Sequence, residues 1–107
     1  MIEHKKQLDY FIQNLRSGNY YDAHEDLELI WFARRFENSD EIRLIKGFIN
    51  ASVSFELYKK GKIEQSKKVW GNYLKYKDLT DCINSPHLEK YHLIRDEIDR
   101  VKKSFIK

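Results

Sequence analysis

The 107-residue sequence predicts an all-α fold, a single-domain antiparallel bundle of about five helices. Three observations carry that reading. Apolar residues recur at three- and four-residue steps nearly everywhere, which is helical spacing and not the alternation of a strand. Only 4 glycines and 1 proline occur, too few for the tight turns of a barrel or sandwich. Hydrophobic residues make up 41% and aromatic residues 14% of the chain, too apolar for disorder and sufficient for a core without cross-links at this length.

The first helix spans residues ~3–16, where Leu8, Phe11, Ile12 and Leu15 form its apolar stripe. Ser17-Gly18-Asn19 ends it, with Gly18 suited to a left-handed C-terminal position. The second runs over ~20–36 and turns Tyr20, Ala23, His24, Leu27, Ile30, Trp31 and Arg34 inward. Asn38-Ser39-Asp40 breaks it and caps the third helix. That helix, ~40–60, has a broad apolar face built on Ile42, Ile45, Ile49, Val53 and Leu57 and widened by Leu44, Phe48, Ala51, Ser52 and Phe55. Such a face suits a central element with several neighbours.

Lys59-Lys60-Gly61 closes the third helix. The fourth, ~62–79, uses Ile63, Ser66, Val69, Trp70, Tyr73, Leu74 and Leu79. Thr80 to Ser85 is the one substantial loop. Ser85-Pro86 opens the last helix, the hydroxyl as cap and the proline at its first position. Leu88, Tyr91, His92, Ile94, Arg95, Ile98, Val101 and Phe105 continue its inward side.

Two segments look alike at an offset of 43 residues: Gly18 precedes Ala23 and Leu27 as Gly61 precedes Ser66 and Trp70. Small residues let paired helices approach closely, as in tetratricopeptide-like hairpins, and two such hairpins plus one C-terminal helix fit the chain.

Composition narrows function more than it assigns it. The net charge is +3. Residues 1–50 hold 7 basic and 9 acidic side chains, and residues 51–107 hold 13 and 8. The lysines of the second half alternate with glutamates along helices, the pattern of a solvated surface, and no RNA-binding motif or arginine-rich arm occurs. Nucleic acid is therefore not the expected partner. No apolar run approaches the ~18 residues of a membrane span, and Met1-Ile2-Glu3-His4-Lys5-Lys6 lacks the apolar core of a signal peptide, so the expected compartment is the cytoplasm. The single Cys82 excludes an internal disulfide and an all-cysteine zinc site; with Asp81 beside it and no neighbouring cation, nothing marks it as a nucleophile. No phosphate-binding glycine loop or serine elbow occurs.

The informative stretch is Gly18 to Trp31. His24 and Glu28 stand four apart and share a helix face with Trp31. The periodicity sets this face inward, and a buried carboxylate must be protonated, paired or bound to a cation. Two accounts follow. In one, His24 and Glu28 are ligands of a divalent metal, with Glu25 or Asp22 supplying a third oxygen or a general base. In the other, the same residues form a buried hydrogen-bond network and Trp31 fills core. Tyr20 and Tyr21 are candidates to line a pocket with Trp31. His4 and His87 fall near helix starts, where solvation is expected, and His92 lies at the edge of an apolar stripe.

The run Tyr21-Asp22-Ala23-His24-Glu25-Asp26-Leu27-Glu28, led by Gly18 and followed by Trp31, resembles the signature of a small helical family known as domain of unknown function 309. Ile45-Lys46-Gly47-Phe48-Ile49-Asn50-Ala51 and Lys59-Lys60-Gly61 resemble its second and third blocks, so the resemblance covers residues ~15–75. It implies an all-helical domain, and some members of that family carry the label of predicted metal-dependent hydrolase. The His-Glu-x-x-Glu positions fall on His24, Glu25 and Glu28. The chain departs from the pattern in having Lys46 and Asn50 where glutamines are usual, and in lacking a histidine before the third-block glycine. Glu56 is the substitute oxygen ligand, whereas Lys46 would repel a cation or pair with Glu28.

Two functions stand open at this level. One is a small helical binding or interaction module with a buried polar cluster of His24, Glu25, Glu28, Trp31 and Lys46, whose partner is an unknown protein or small molecule. The other is a metal-dependent hydrolase in which His24, Glu28 and Glu56 hold a divalent ion and Glu25 acts as general base. Helical bundles with exposed aromatic residues often dimerise, so a homo-oligomer is compatible with either.

Overall fold

The computed structural model describes residues 3–105, and it is an all-α bundle. Five helices follow in order: α1 (His4–Ser17), α2 (Tyr20–Ala33), α3 (Asp40–Lys59), α4 (Ile63–Tyr76) and α5 (Leu88–Ser104). A short 3-10 turn, Lys77–Asp81, extends α4. Helices adjacent in sequence pack as neighbours, α1 on α2, α2 on α3 and α3 on α4, while α5 closes the bundle against α1 and α3.

The broad apolar face of α3 makes it the central element. Ile42, Leu44, Ile45, Phe48, Ile49, Ala51 and Phe55 are all buried, set between α2, α4 and α5. Leu8, Phe11, Ile12 and Leu15 of α1, Ala23, Leu27 and Ile30 of α2, and Tyr91, Ile94, Ile98 and Val101 of α5 complete one core. Ser39 caps α3 as its sequence context predicts, its hydroxyl accepting from the Ile42 amide at 3.3 Å.

The two glycine turns repeat each other bond for bond. Gly18 and Gly61 adopt φ of +77° and +79°, a left-handed conformation that glycine reaches without a Cβ penalty. The Gly18 amide donates to the Leu15 carbonyl at 3.3 Å and the Asn19 amide to Asn14 at 2.9 Å. At the second turn, Gly61 donates to Tyr58 at 3.0 Å and Lys62 to Leu57 at 2.9 Å. This is the double closure that satisfies carbonyls left over at a helix end. The hairpins α1–α2 and α3–α4 thus begin from one geometry.

Their inner contacts differ. Where Ala23 sits buried in the first hairpin, Ser66 sits buried in the second. Ser66 is satisfied by exchange with Ser54: the Ser54 hydroxyl donates to the Ser66 carbonyl at 2.8 Å and the Ser66 hydroxyl to the Ser54 carbonyl at 2.7 Å. Further along the pair, Gly47 lets α4 come close, since a Cβ there would stand 2.9 Å from Tyr76 Cβ.

Several expectations need correction. The second helix ends at Ala33, not 36; in the turn that follows, the Arg34 guanidinium donates to Glu37 at 2.7 and 2.8 Å and to Glu41 at 3.1 Å, tying the turn to the start of α3. Ile63 and Leu74, expected inward on α4, are exposed. Thr80, expected in a loop, is buried in the 3-10 turn, its hydroxyl bonded to the Lys77 carbonyl at 2.7 Å. Ser85 does not cap α5 and Pro86 is not its first residue; the helix opens at Leu88 after His87. The Ser85 hydroxyl is committed elsewhere, donating to Glu41 at 2.7 Å and accepting from the His87 amide at 3.1 Å.

Candidate functional site

The geometry around the signature residues follows from the helical repeat of α2. His24 Nδ1–H donates to the Tyr21 carbonyl at 3.0 Å, and Nε2 meets the Glu28 carboxylate one turn further on. Both ring nitrogens are thereby engaged within the same helix. The Tyr21 ring stands edge-on to the imidazole, centroids 5.2 Å apart. His24 therefore works as a clamp that sets the positions of Tyr21 and Glu28.

The cluster is only partly buried: the His24 side chain is 17% exposed, whereas both carboxylates reach solvent, contrary to the expectation for them. Glu25 is exposed, and the Glu28 side chain is 52% exposed. The inward side of α2 is instead Tyr20, Ala23, Leu27 and Ile30, a stripe rotated away from His24. Its apolar fill is complete without the polar residues, so Glu25 and Glu28 stay in water and need no buried partner. Trp31 is half-buried against the core, and the Lys46 ammonium lies over its ring at 4.5 Å. Among the described residues no ion pair joins Lys46 to Glu28; its cation faces an aromatic ring instead.

Glu56 does not join the set. It pairs with Lys60 at 2.9 Å and lines a groove with Gly18, Asn19, Tyr20, Tyr21, Asp22, Lys59 and Lys60. Tyr20 and Tyr21 thus share a groove with these lysines, while Trp31 lines a different one with Arg35, Ile42, Lys46 and Tyr76. Among the described residues no three histidine, cysteine, aspartate or glutamate side chains converge as a metal site requires. His24 and Glu28 supply two donors, short of the three protein ligands that even an open catalytic zinc site uses.

The sequence reading missed two features. The first is the outer face of α2. Tyr21 is 54% exposed, Leu29 49% and Phe32 61%, and Phe36 in the following turn is 87% exposed. At 100° per residue Tyr21, Leu29 and Phe32 share one face of α2 with Glu25 and Glu28, and Phe36 lies in the turn beyond it. Glu25, Asp26, Glu28, Leu29, Phe32 and Ala33 line an open groove of about 530 Å³. The signal was present in the sequence: Leu29, Phe32 and Phe36 lie off the inward stripe, so α2 is apolar on two sides, and only one of them can face the core.

The second is a polar knot joining α1, α3 and α5. Tyr91 donates its hydroxyl to Glu41 at 2.5 Å. That uses its one hydrogen, so His4 Nε2–H donates to the Tyr91 oxygen at 2.9 Å. His4 also stacks on His87, ring centroids 4.0 Å apart and 3° from parallel. His4 and His87 are thus packed and not solvated as expected. Burial, reinforced by His87, pushes the His4 imidazole down to about 4. Burial alone would raise Glu41, but hydrogen bonds from Tyr91, Ser85 and Arg34 hold it below the usual carboxylate range. His92 lies half-buried at the edge of α5, within 3.4 Å of the Arg95 guanidinium, and Cys82 is exposed with a free thiol.

A family model described as a domain of unknown function (DUF309) matches residues 8–69, more than half of the chain. The chain belongs to the DUF309 family. Comparison with curated proteins and with solved structures gives no match. The DUF309 match takes in α1 from Leu8 onward, all of α2 and α3, and the first half of α4. It begins earlier than the expected residues ~15–75, since the α1 core residues are included, and it leaves α5 outside. Within the DUF309 region the His-Glu-x-x-Glu motif has a half-buried His24 and two solvent-exposed carboxylates, Glu25 and Glu28.

Proposed function

We propose that the protein is a small helical interaction module, one domain over residues 1–107, which docks a helix of a protein partner on the outer face of α2. The observation that carries this reading is the exposed stripe Tyr21, Leu29, Phe32 and Phe36, with Glu25 and Glu28 among its apolar members. A 14-residue helix is about 21 Å long, so the stripe matches the length of one partner helix laid along it. Exposed apolar residues gathered on one face, rimmed by charge, mark interaction surfaces. In this reading the His24 clamp holds Tyr21 and Glu28 in place for contact.

No helix of the described residues is long and apolar enough to cross a membrane. The free, exposed thiol of Cys82 fits a reducing compartment, and we place the module in the cytoplasm.

Site-specific photo-crosslinking in living cells tests the reading. A photoreactive residue replaces Phe32, and another replaces Lys75, the position 43 residues later on the outer side of α4. The expected result is discrete protein adducts from position 32 and none from position 75. Equal labelling at the two positions would overturn the proposal.

A further inference from the structure

We propose that the helix which docks on α2 is α2 of a second copy, laid antiparallel across it; this rests on the reading of the α2 outer face as a docking surface. The charges along the stripe single out this occupant. Glu25 and Glu28 lie in the N-terminal and middle parts of the face, and Arg35 lies in the turn just beyond its C-terminal end. The Arg35 guanidinium spreads over the Phe32 and Phe36 rings at 3.8 and 4.5 Å and donates to the Phe32 carbonyl at 2.5 Å. Among the described residues it meets no carboxylate, and Glu25 meets no cation.

An antiparallel copy brings the arginine of each chain to the carboxylates of the other and sets the aromatic C-terminal end of each stripe over the N-terminal half of its partner, with Leu29 near the two-fold axis. A parallel copy would set acid on acid and arginine on arginine. A purely basic partner helix would satisfy Glu25 and leave Arg35 facing like charge. The face is thus complementary to itself under a two-fold axis, the requirement of an isologous dimer. Arg35, stacked on the rings that form the contact, is already held flat at the rim, and planar stacked arginines with aromatic anchors are what such interfaces use.

One short helix per copy makes a contact at the small end of the range for specific complexes. The association is therefore a weak, concentration-dependent dimer, and Glu28, already held by His24, contributes less to it than the unpaired Glu25.

Sedimentation velocity on the full chain, from micromolar to near-millimolar concentration, tests this. Wild type is expected to pass from monomer to dimer across that range. Phe32→Glu is expected to stay monomeric with an unchanged melting temperature, because Phe32 is solvent-exposed in the monomer. Arg35→Glu is expected to weaken the dimer roughly tenfold, and the double variant Glu25→Arg with Arg35→Glu to recover most of that loss. Lys75→Glu on α4 is expected to leave it unchanged. A monomer at every concentration would overturn self-pairing, as would a dimer that Phe32→Glu leaves intact. If position 32 still crosslinks to a different protein in cells, the docking face stands and only its occupant changes; if it crosslinks to nothing, the docking reading falls with it.

Discussion

The two hairpins share a turn and differ in what they show to solvent. At the offset of 43 residues, Gly18 and Gly61 close the same hydrogen bonds with the same backbone sign, and Ala23 and Ser66 occupy matching buried positions. The outward positions do not match. Tyr21, Glu25, Leu29 and Phe32 of α2 correspond to Glu64, Lys68, Asn72 and Lys75 of α4. Both sets are exposed. At these matching positions the second hairpin carries polar residues and the first carries Tyr21, Leu29 and Phe32, although α4 exposes Ile63 and Leu74 elsewhere. The docking proposed for α2 accounts for apolar side chains at positions that the same turn geometry leaves polar in α4.

The comparison is broken most sharply by contrasting the two sides of α2. Leu27 is fully buried, and Leu27→Ala should cost about 3 kcal/mol of stability through lost burial and the cavity left behind. Phe32→Ala should change it by less than about 0.5 kcal/mol. Denaturant unfolding of the two variants measures the difference, and a large loss for Phe32→Ala would show the outer stripe to be structural. The next largest effect is expected between α3 and α4. Gly47→Ala places a methyl against Tyr76 Cβ, a backbone-linked atom with little freedom to move, and should cost about 2 kcal/mol. A neutral result would show that the hairpin opens easily at that end.

The shared turn is tested by paired substitutions. Gly18→Ala and Gly61→Ala each force a side chain into the left-handed region, and neither Cβ meets a neighbour. Each should cost about 1 kcal/mol, and the two costs should agree. Clearly unequal values would mean that the turns are alike only in outline.

A smaller, pH-dependent effect belongs to the junction between the hairpins, because the His4 knot ties α1 to α3 and α5. The folded state holds His4 near 4 against an ordinary value of 6.5. As pH falls below 6.5, the unfolded chain takes up a proton that the folded chain refuses until about pH 4, so stability declines over that window. Glu41, held below its ordinary range, adds to the loss at the acid end. The groups facing His4 are His87, Glu41, Arg34, Glu37 and Tyr91. Unfolding followed from pH 7 to 4 should show a shallower decline for His4→Gln than for wild type, and identical slopes would contradict the assignment.

The sequence made the fold readable because helical periodicity is local. Leu8, Phe11, Ile12 and Leu15 needed only their own spacing to be assigned to the core. The misplacements are where long-range bonds outbid local signals. Ser85 looked like a cap for α5, but Glu41, 44 residues away, takes its hydroxyl. Arg34 looked helical, but it stands at the turn after α2, paired with Glu37 and with Glu41 of the next helix. His4 looked solvated because nothing near it in sequence reveals His87 and Tyr91.

The site was half legible. The i,i+4 spacing of His24 and Glu28 did imply that they meet. Which way they face was misread, because α2 has apolar residues on two sides and the pattern does not say which side meets α1 and α3. The Tyr20–Ala23–Leu27–Ile30 stripe won the core, and the clamp was left at the rim of the outer face. Glu56, assigned to the same set by position in a resemblance, pairs with Lys60 and lines the groove between the first turn and the end of α3 instead.

On the docking proposal, the α2 outer face is covered when the protein is at work and the matching α4 face is not. Thiol labelling in cells tests it most directly. Cys82, which is exposed, is first replaced by serine, and a single cysteine then replaces either Phe32 or Lys75. The account predicts that both react equally in dilute purified protein, and that in cells position 32 becomes several-fold slower while position 75 does not. Equal rates at the two positions in cells would contradict it.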